Sequence, residues 1–149
     1  MEKEINDKWT MINQLNKEFD EVYHKIAVHY KLSDSSFWIL YVLYEKKEGC
    51  TQKEICADWC YSKQTINTAI KDLEKKEYIS LNYEDSNRKY KKICLTPKGL
   101  EIAENTVKKV MEVENIAFSK IDKKEFDRVI NFFQVQLSSF KEEANKIIK

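Results

Sequence analysis

The sequence contains very little glycine and proline. Its 149 residues include two glycines and one proline, whereas 34% of the residues are charged. This composition argues against a sheet-rich or disordered chain and favours long helices. The length suits one domain with a hydrophobic core, so we expect residues 1–149 to form a single domain.

The sequence also lacks any apolar run of membrane-spanning length. Its first residues, Met1-Glu2-Lys3-Glu4, have no apolar core of a signal peptide. We therefore expect a cytoplasmic protein with no membrane partner. The four cysteines would be thiols there, because structural disulfides are rare in that compartment.

Common catalytic motifs are missing as well. The sequence has no glycine-rich phosphate loop, no nucleophile elbow and no zinc-hydrolase pattern. His24 and His29 would lie about 140° apart around one helix, too far for a metal pair on a shared face. Helix-surface histidines are the simpler interpretation. We predict neither an enzyme nor a metal or other cofactor.

Residues 51–76 instead carry the pattern of a helix-turn-helix. Thr51 and Glu54 have the spacing of a capping box, which predicts a helix from Gln52 to about Trp59. Ser62 is a second N-cap candidate and would begin a helix over residues 63–76. One side of that helix is apolar, with Ile66, Ala69, Ile70 and Leu73. The other side is polar, which suits a DNA-reading helix but also any solvated surface: Gln64, Asn67, Thr68, Lys71, Lys75.

A basic two-stranded ribbon is predicted next. Residues 78–83 and 91–95 alternate with period two, and a polar turn over residues 84–90 joins them. Residues 50–99 carry a net charge of +3, against −2 for residues 1–49 and 0 for residues 100–149. Two of the 26 basic residues are arginines, and Arg88 lies in this turn, where a guanidinium suits a narrow groove. Helix, turn, helix and ribbon in this order predict a winged helix-turn-helix over residues 33–96.

Long amphipathic helices are predicted on both sides of this unit. Residues 5–30 repeat apolar side chains every three or four positions. Residues 37–44 could be a buried strand, but the Ser33-Asp34 cap favours a buried helix ending near Gly49. Pro97 would begin one helix that continues to Asp122, and Asp122 with Glu125 would cap a last helix. The terminal helices, 5–30 and 97–148, form either an intrachain bundle or, as we prefer, a homodimer interface.

Several of these residues resemble the MarR family of winged helix-turn-helix transcription regulators. The resemblance lies in Ile79, in the Leu95-Thr96-Pro97-Lys98-Gly99 motif and in the ribbon before it, and it covers nearly the whole chain. Glu77 replaces a usual glycine, which predicts a left-handed backbone there. Asn87 and Lys89 stand where the family has Asp-x-Arg in the wing. The pattern and the resemblance together imply a mainly α fold with a small antiparallel β-wing and dimerisation helices at both ends.

The resemblance also implies a homodimeric, sequence-specific regulator that binds a palindromic operator in double-stranded DNA. The major groove would be contacted by Ser62, Lys63, Gln64, Thr65, Asn67, Thr68 and Lys71. Arg88 and Lys89 would enter the minor groove, while Lys91, Lys92 and Lys98 would hold the DNA backbone. The alternative is a helical dimer whose winged unit binds another protein.

Two smaller groups of residues suggest regulation. Relatives bind small aromatic effectors in a cavity, so the resemblance implies a repressor released by such a ligand. Residues at helical spacing are more often ordinary core, and the candidate lining is Trp9, Tyr23, Tyr30, Trp38, Tyr41, Tyr44 and Phe118. Cys56 and Cys60 would mainly pack between helices, the alternative being a cysteine redox-sensing regulator of the same fold.

Overall fold

The structure, a computed structural model, describes residues 2–59, 62–84 and 87–148, and the side chains of residues 58, 59, 84 and 87–90 are outside the description. Its elements are α1 (Glu2–His29), α2 (Asp34–Glu45), β1 (Cys50–Thr51), α3 (Gln52–Trp59), α4 (Lys63–Lys75), β2 (Ile79–Glu84), β3 (Asn87–Leu95), α5 (Pro97–Asn105), α6 (Val107–Phe118) and α7 (Lys123–Ile147). The predicted fold class, mainly α with a small antiparallel wing, is confirmed. The chain divides into two compact units, residues 1–109 and residues 110–149.

The core of the first unit is built around α2. Ser33 caps this helix by accepting a hydrogen bond from the Ser36 backbone N–H at 3.1 Å. The apolar run that follows is buried as a helix, as predicted, rather than as a strand. Phe37, Leu40 and Leu43 of α2 are buried, and side chains from α3, α4 and the sheet complete the core around them: Ile55, Ile66, Leu73, Ile79 and Ile93.

The sheet has three antiparallel strands, with β3 between β1 and β2. The sequence pattern did not reveal β1, in which Cys50 pairs with Ile93. A strand of two residues is too short to show an alternation of apolar and polar side chains. The predicted turn over residues 84–90 was wrong, since β3 already begins at Asn87, which pairs with Glu84. A register shift between Tyr83 and Glu84 accommodates the extra residues of β3, and such irregular pairing breaks the period of two.

Two helices of this unit end in a Schellman motif whose left-handed residue is not glycine. After α1, Lys31 has φ 57°, and the Leu32 N–H donates to the Ala27 carbonyl at 2.9 Å. After α4, Glu77 has φ 62°, and the Tyr78 N–H donates to the Leu73 carbonyl at 2.9 Å. Both ends are Schellman motifs. The left-handed backbone predicted for Glu77 is confirmed.

The single helix predicted from Pro97 to Asp122 was wrong, because the helix breaks at Thr106. This residue has φ −122° and ψ −75°, outside the helical region. Its hydroxyl donates to the Ile102 carbonyl at 2.7 Å, and its side chain is buried. A threonine that bonds back to the preceding turn bends a helix, and the apolar pattern continues through the bend. The sequence pattern alone therefore predicted one helix where the structure has α5 and α6.

The second unit contains most of α6 and all of α7. Asp122 caps α7 by accepting from the Lys124 N–H at 2.8 Å, as predicted. Glu125 does not complete the capping box, because it pairs with Arg128 at 2.7 Å. The apolar stripe of α7 is 37–64% exposed at Phe126, Val129, Ile130, Phe133, Leu137 and Phe140.

Candidate nucleic-acid interface

The N-terminus of α3 is held by the predicted capping box. The Thr51 N–H donates to Glu54 Oε2 at 2.7 Å, and the Glu54 N–H donates to Thr51 Oγ1 at 3.3 Å. These backbone and hydroxyl bonds from Thr51 lower the pKa of Glu54 below its ordinary value, and the charges of Lys46 and Lys92 add to the effect. The first helix of the pair therefore has a fixed start beside β1.

The N-terminus of α4 is tied to α3 as well as capped. Ser62 Oγ accepts from the Thr65 N–H at 3.1 Å, which confirms the second predicted cap. Gln52 Nε2 donates to the Lys63 carbonyl at 3.3 Å and so links the first turns of the two helices. Sequence analysis did not single out Gln52, since only the fold brings its side chain to that carbonyl.

The two faces of α4 are clearly separated. Ile66, Ala69, Ile70 and Leu73 are buried against the core, as predicted. Every residue predicted on this helix for the major groove is exposed, from Ser62 and Lys63 through Gln64, Thr65, Asn67 and Thr68 to Lys71. Thr68 Oγ1 donates to the Gln64 carbonyl at 3.0 Å, so its hydroxyl is partly engaged within the helix. Gln64 and Asn67 present amide groups to solvent, and Lys63 and Lys71 present ammonium groups.

The basic residues of the wing do not all lie together. Lys91 pairs with Tyr83 across the ribbon, and its ammonium lies 5.4 Å from the centre of that ring. Lys92 pairs with Asn82 and Thr51, and successive residues of a strand point to opposite faces of a sheet. Lys91 and Lys92, predicted in one role, are therefore on different faces of the wing. The side chains of Arg88 and Lys89 lie outside the described residues.

Lys98, the remaining lysine predicted to hold the DNA backbone, has partners within the chain. Its ammonium lies 3.4 Å from Glu77 Oε2 and 5.5 Å from the centre of the Tyr78 ring. It lies at the start of α5, beside the C-terminus of α4 rather than on the wing. Contact with DNA would compete with these interactions.

The residues predicted to line one aromatic cavity lie in several places. Tyr23, Trp38 and Tyr41 form a cluster, with ring centres 4.9 Å and 5.3 Å apart in successive pairs. Tyr30 packs against His29, and Trp9 lies in an earlier part of α1. Phe118 packs against Phe126 in the second unit.

Tyr44 lines a separate cavity of about 600 Å³ between α2 and α5. Its walls are mostly apolar, and a lysine and a glutamate lie among them: Leu43, Tyr44, Lys47, Leu95, Thr96, Pro97, Leu100 and Glu104. Sequence analysis missed all of these residues except Tyr44 as cavity lining. Their proximity depends on how α5 packs against the end of α2.

The candidate redox and metal residues also have separate surroundings. Cys56 is half-buried on α3, and Cys60 lies outside the described residues. His24 Nδ1 lies 2.9 Å from Asp34, while His29 contacts Tyr30. Within residues 2–59, 62–84 and 87–148, no three metal-ligating side chains are grouped. In the same part of the chain, no helix has the length and apolar character to span a membrane.

Comparison with known proteins relates this geometry to one family. The sequence model of the MarR family matches residues 30–86, a range that includes α2, β1, α3, α4 and β2. No curated protein matches the chain in sequence.

Solved structures resemble the chain over most of its length. Staphylococcus aureus MepR in complex with DNA is 20% identical, with 88% of this chain and 96% of that chain covered and a TM-score of 0.69. The same protein in a DNA-binding conformation is 19% identical, with 89% of this chain and 98% of that chain covered and a TM-score of 0.74. NMB1585, a MarR family regulator from Neisseria meningitidis, is 21% identical, with 91% of this chain and 97% of that chain covered and a TM-score of 0.72. The MarR family model thus matches the winged-helix segment, and the chain has the fold of that family's solved structures.

Proposed function

We propose that this protein is a homodimeric, sequence-specific DNA-binding regulator of transcription in the cytoplasm, and that it acts as a repressor released by a small ligand. The observation that carries the proposal is the division of α4 into a buried apolar face and an exposed face of hydrogen-bonding side chains. An α-helix fits the major groove, where amide side chains such as Gln64 and Asn67 pair with adenine edges. Lys63 and Lys71 suit guanine or phosphate.

The wing supplies the second part of the interface. Lys91 is exposed on the ribbon, and its position over Tyr83 restrains the ammonium group near the outer end of the wing. Such a lysine contributes affinity for phosphate that does not depend on the base sequence. Lys92, on the other face and near Glu54, is a weaker candidate because a neighbouring carboxylate competes with phosphate.

Dimer formation is supported by the apolar stripes of α1 and α7. Ile5, Leu15, Phe19 and Val22 of α1 are each at least half exposed, as are several side chains of α7. Soluble monomers rarely expose continuous apolar stripes of this length. A second copy of the chain covering both stripes removes them from water and creates two DNA-binding units with two-fold symmetry, which matches a palindromic operator.

The effector site that we propose is the cavity beside Tyr44. Its volume of about 600 Å³ lies within the range of small-molecule sites. Leu95, Thr96 and Pro97 in its wall connect the wing to α5. A ligand there would press on this connection and change the position of the wing relative to α4. Tyr44 and Lys47 would orient an aromatic ligand that carries a polar group.

Selection of bound sites from random duplexes, followed by titration of the selected sequence, tests the main proposal. We expect a palindromic consensus and a salt-dependent affinity well above that for random DNA. A protein that selects no consensus and binds no duplex at low salt would contradict DNA recognition. In that case the winged unit would be better explained as a protein-binding surface.

A further inference from the structure

Thr68 lies near the middle of the exposed face of α4. Successive residues of an α-helix are about 100° apart around its axis, so the line opposite the centre of the buried face passes between Gln64 and Thr68. Both side chains are exposed. A partner that docks squarely on this face therefore meets Thr68 as well as Gln64.

The hydroxyl of Thr68 is already used within the helix. Thr68 Oγ1 donates to the Gln64 carbonyl at 3.0 Å. A hydroxyl has one hydrogen to donate, so this bond leaves none for an acceptor on a base. The oxygen and the methyl group are bonded to the same Cβ in staggered positions. Because the oxygen is directed towards the carbonyl of the preceding turn, the methyl group is directed away from it, on the exposed surface of the helix.

This methyl group is surrounded by polar ends of other side chains. Gln64 and Asn67 carry amides and Lys71 carries an ammonium group, all on the same exposed face. Those groups read hydrogen-bonding positions of bases or hold phosphate. Thymine alone among the four bases presents a methyl group in the major groove, and an apolar contact is the way to recognise it. Thr68 supplies the apolar contact that its neighbours do not.

We propose that Thr68 recognises one thymine of the operator through contact between its methyl group and the C5-methyl group of the base. The inference rests on the proposed function and names the chemistry by which one position of α4 selects its base. Guanine presents acceptors in the major groove, for which the engaged hydroxyl has no hydrogen left. Adenine and cytosine present amino groups that Oγ1 is able to accept from, and a variant without this oxygen separates that alternative.

Replacement of thymine by deoxyuridine tests the proposal, because the two bases differ only in the C5-methyl group. The operator comes from the selection among random duplexes, and each thymine of one half-site is replaced in turn. Fluorescence anisotropy gives the affinity of each protein variant for each duplex. We expect one thymine whose replacement weakens binding by the wild type about fourfold, the effect of leaving one methyl group unburied.

Two substitutions of Thr68 divide its side chain into its parts. Thr68→Ser keeps the hydroxyl and removes the methyl group, so it should bind the thymine and deoxyuridine duplexes equally at that position. Thr68→Val keeps a methyl group there and removes the hydroxyl, so it should retain the preference of about fourfold for thymine. Thr10→Ser is the matched control, because it removes a methyl group from an exposed threonine of α1 and should also retain the preference.

The outcomes separate this proposal from the proposed function. A preference for thymine that persists in Thr68→Ser would overturn the proposal. Loss of the preference in Thr68→Val would also overturn it and would assign the contact to the hydroxyl. A selected operator at which no replacement of thymine changes the affinity of the wild type would overturn it without the use of any variant, while sequence-specific DNA binding would stand. A protein that selects no operator would overturn both.

Discussion

The Cα of Gly99 lies directly against the backbone carbonyl of Tyr78, so that a Cβ on Gly99 would be 1.8 Å from that oxygen. Thr96 holds the two segments together, because its N–H donates to the Tyr78 carbonyl at 3.1 Å and its hydroxyl donates to the Glu77 carbonyl at 2.6 Å. The same hydroxyl accepts from the Gly99 N–H and caps α5. The Leu-Thr-Pro-Lys-Gly motif therefore joins the end of α4, the wing and the start of α5.

Gly99→Ala should lower the free energy of unfolding by about 2–3 kcal/mol, because backbone rather than a flexible side chain must move. Lys98→Ala, at the exposed neighbouring position, should change it by less than about 0.5 kcal/mol. Urea denaturation followed by circular dichroism measures both. Equal stability of the Gly99→Ala variant and the wild type would show that α5 and Tyr78 are further apart than described.

Glu77→Gly should stabilise the protein by about 1 kcal/mol, since glycine avoids the cost of a left-handed backbone for a residue with a Cβ. The loss of the exposed pair with Lys98 offsets little of this gain. Lys76→Gly is the matched control, because Lys76 has φ −78° and glycine there should destabilise the helix end. Thermal melting of the three proteins gives the comparison. A destabilised Glu77→Gly variant would contradict the Schellman geometry at this helix end.

Stability should depend on the ionisation of Glu54. Its pKa is lowered in the folded protein by the bonds from Thr51, so its contribution is present above the ordinary pKa of 4.5 and is lost as pH falls through the lowered folded value. Glu54→Gln should therefore be less stable than the wild type at neutral pH, with the difference shrinking in acid. Urea titrations from pH 7 to about pH 3 measure this trend. Thr51→Ala removes the N-cap of α3 and should lower the free energy of unfolding by about 0.5–2 kcal/mol.

The two DNA-contacting elements should respond differently to mutation. Asn67→Ala should weaken binding to the selected operator by about 1–3 kcal/mol and change binding to random DNA little. Lys91→Ala should weaken both and reduce the salt-dependence slope by about one. Lys141→Ala on α7 serves as the charge control. Fluorescence anisotropy at several salt concentrations separates these effects, and equal weakening on both duplexes by Asn67→Ala would mean that another face of α4 meets the groove.

Sedimentation should show a dimer of about twice the chain mass of 17.8 kDa at micromolar concentration. Phe133→Glu places a charge in the exposed stripe of α7 and should shift the protein to monomer or prevent folding. Gln134→Glu adds the same charge at the next, already polar position and should leave the dimer intact. A folded wild-type monomer would contradict both the dimer and the two-fold operator.

The helices and their faces were determined largely by the sequence itself. Apolar residues at helical spacing predicted α1, α4 and α7, and the Ser33-Asp34 cap decided between a helix and a strand for α2. Thr51, Ser62 and Asp122 marked further helix starts, because capping and amphipathicity are local properties. Left-handed Glu77 followed from a family pattern that expects glycine. Strand β1 and the bend at Thr106 could not be predicted from the sequence. A two-residue strand has no period, and a bent helix keeps its apolar repeat.

Only the tertiary structure decided which side chains meet. Adjacent Lys91 and Lys92 look equivalent in the sequence, yet pairing in the sheet directs them to opposite faces of the wing. The aromatic residues look like one set, yet Tyr44 lines one cavity while Tyr23 and Trp38 line another. Cavities form where elements distant in sequence pack together, and their lining depends on packing angles that no local pattern encodes.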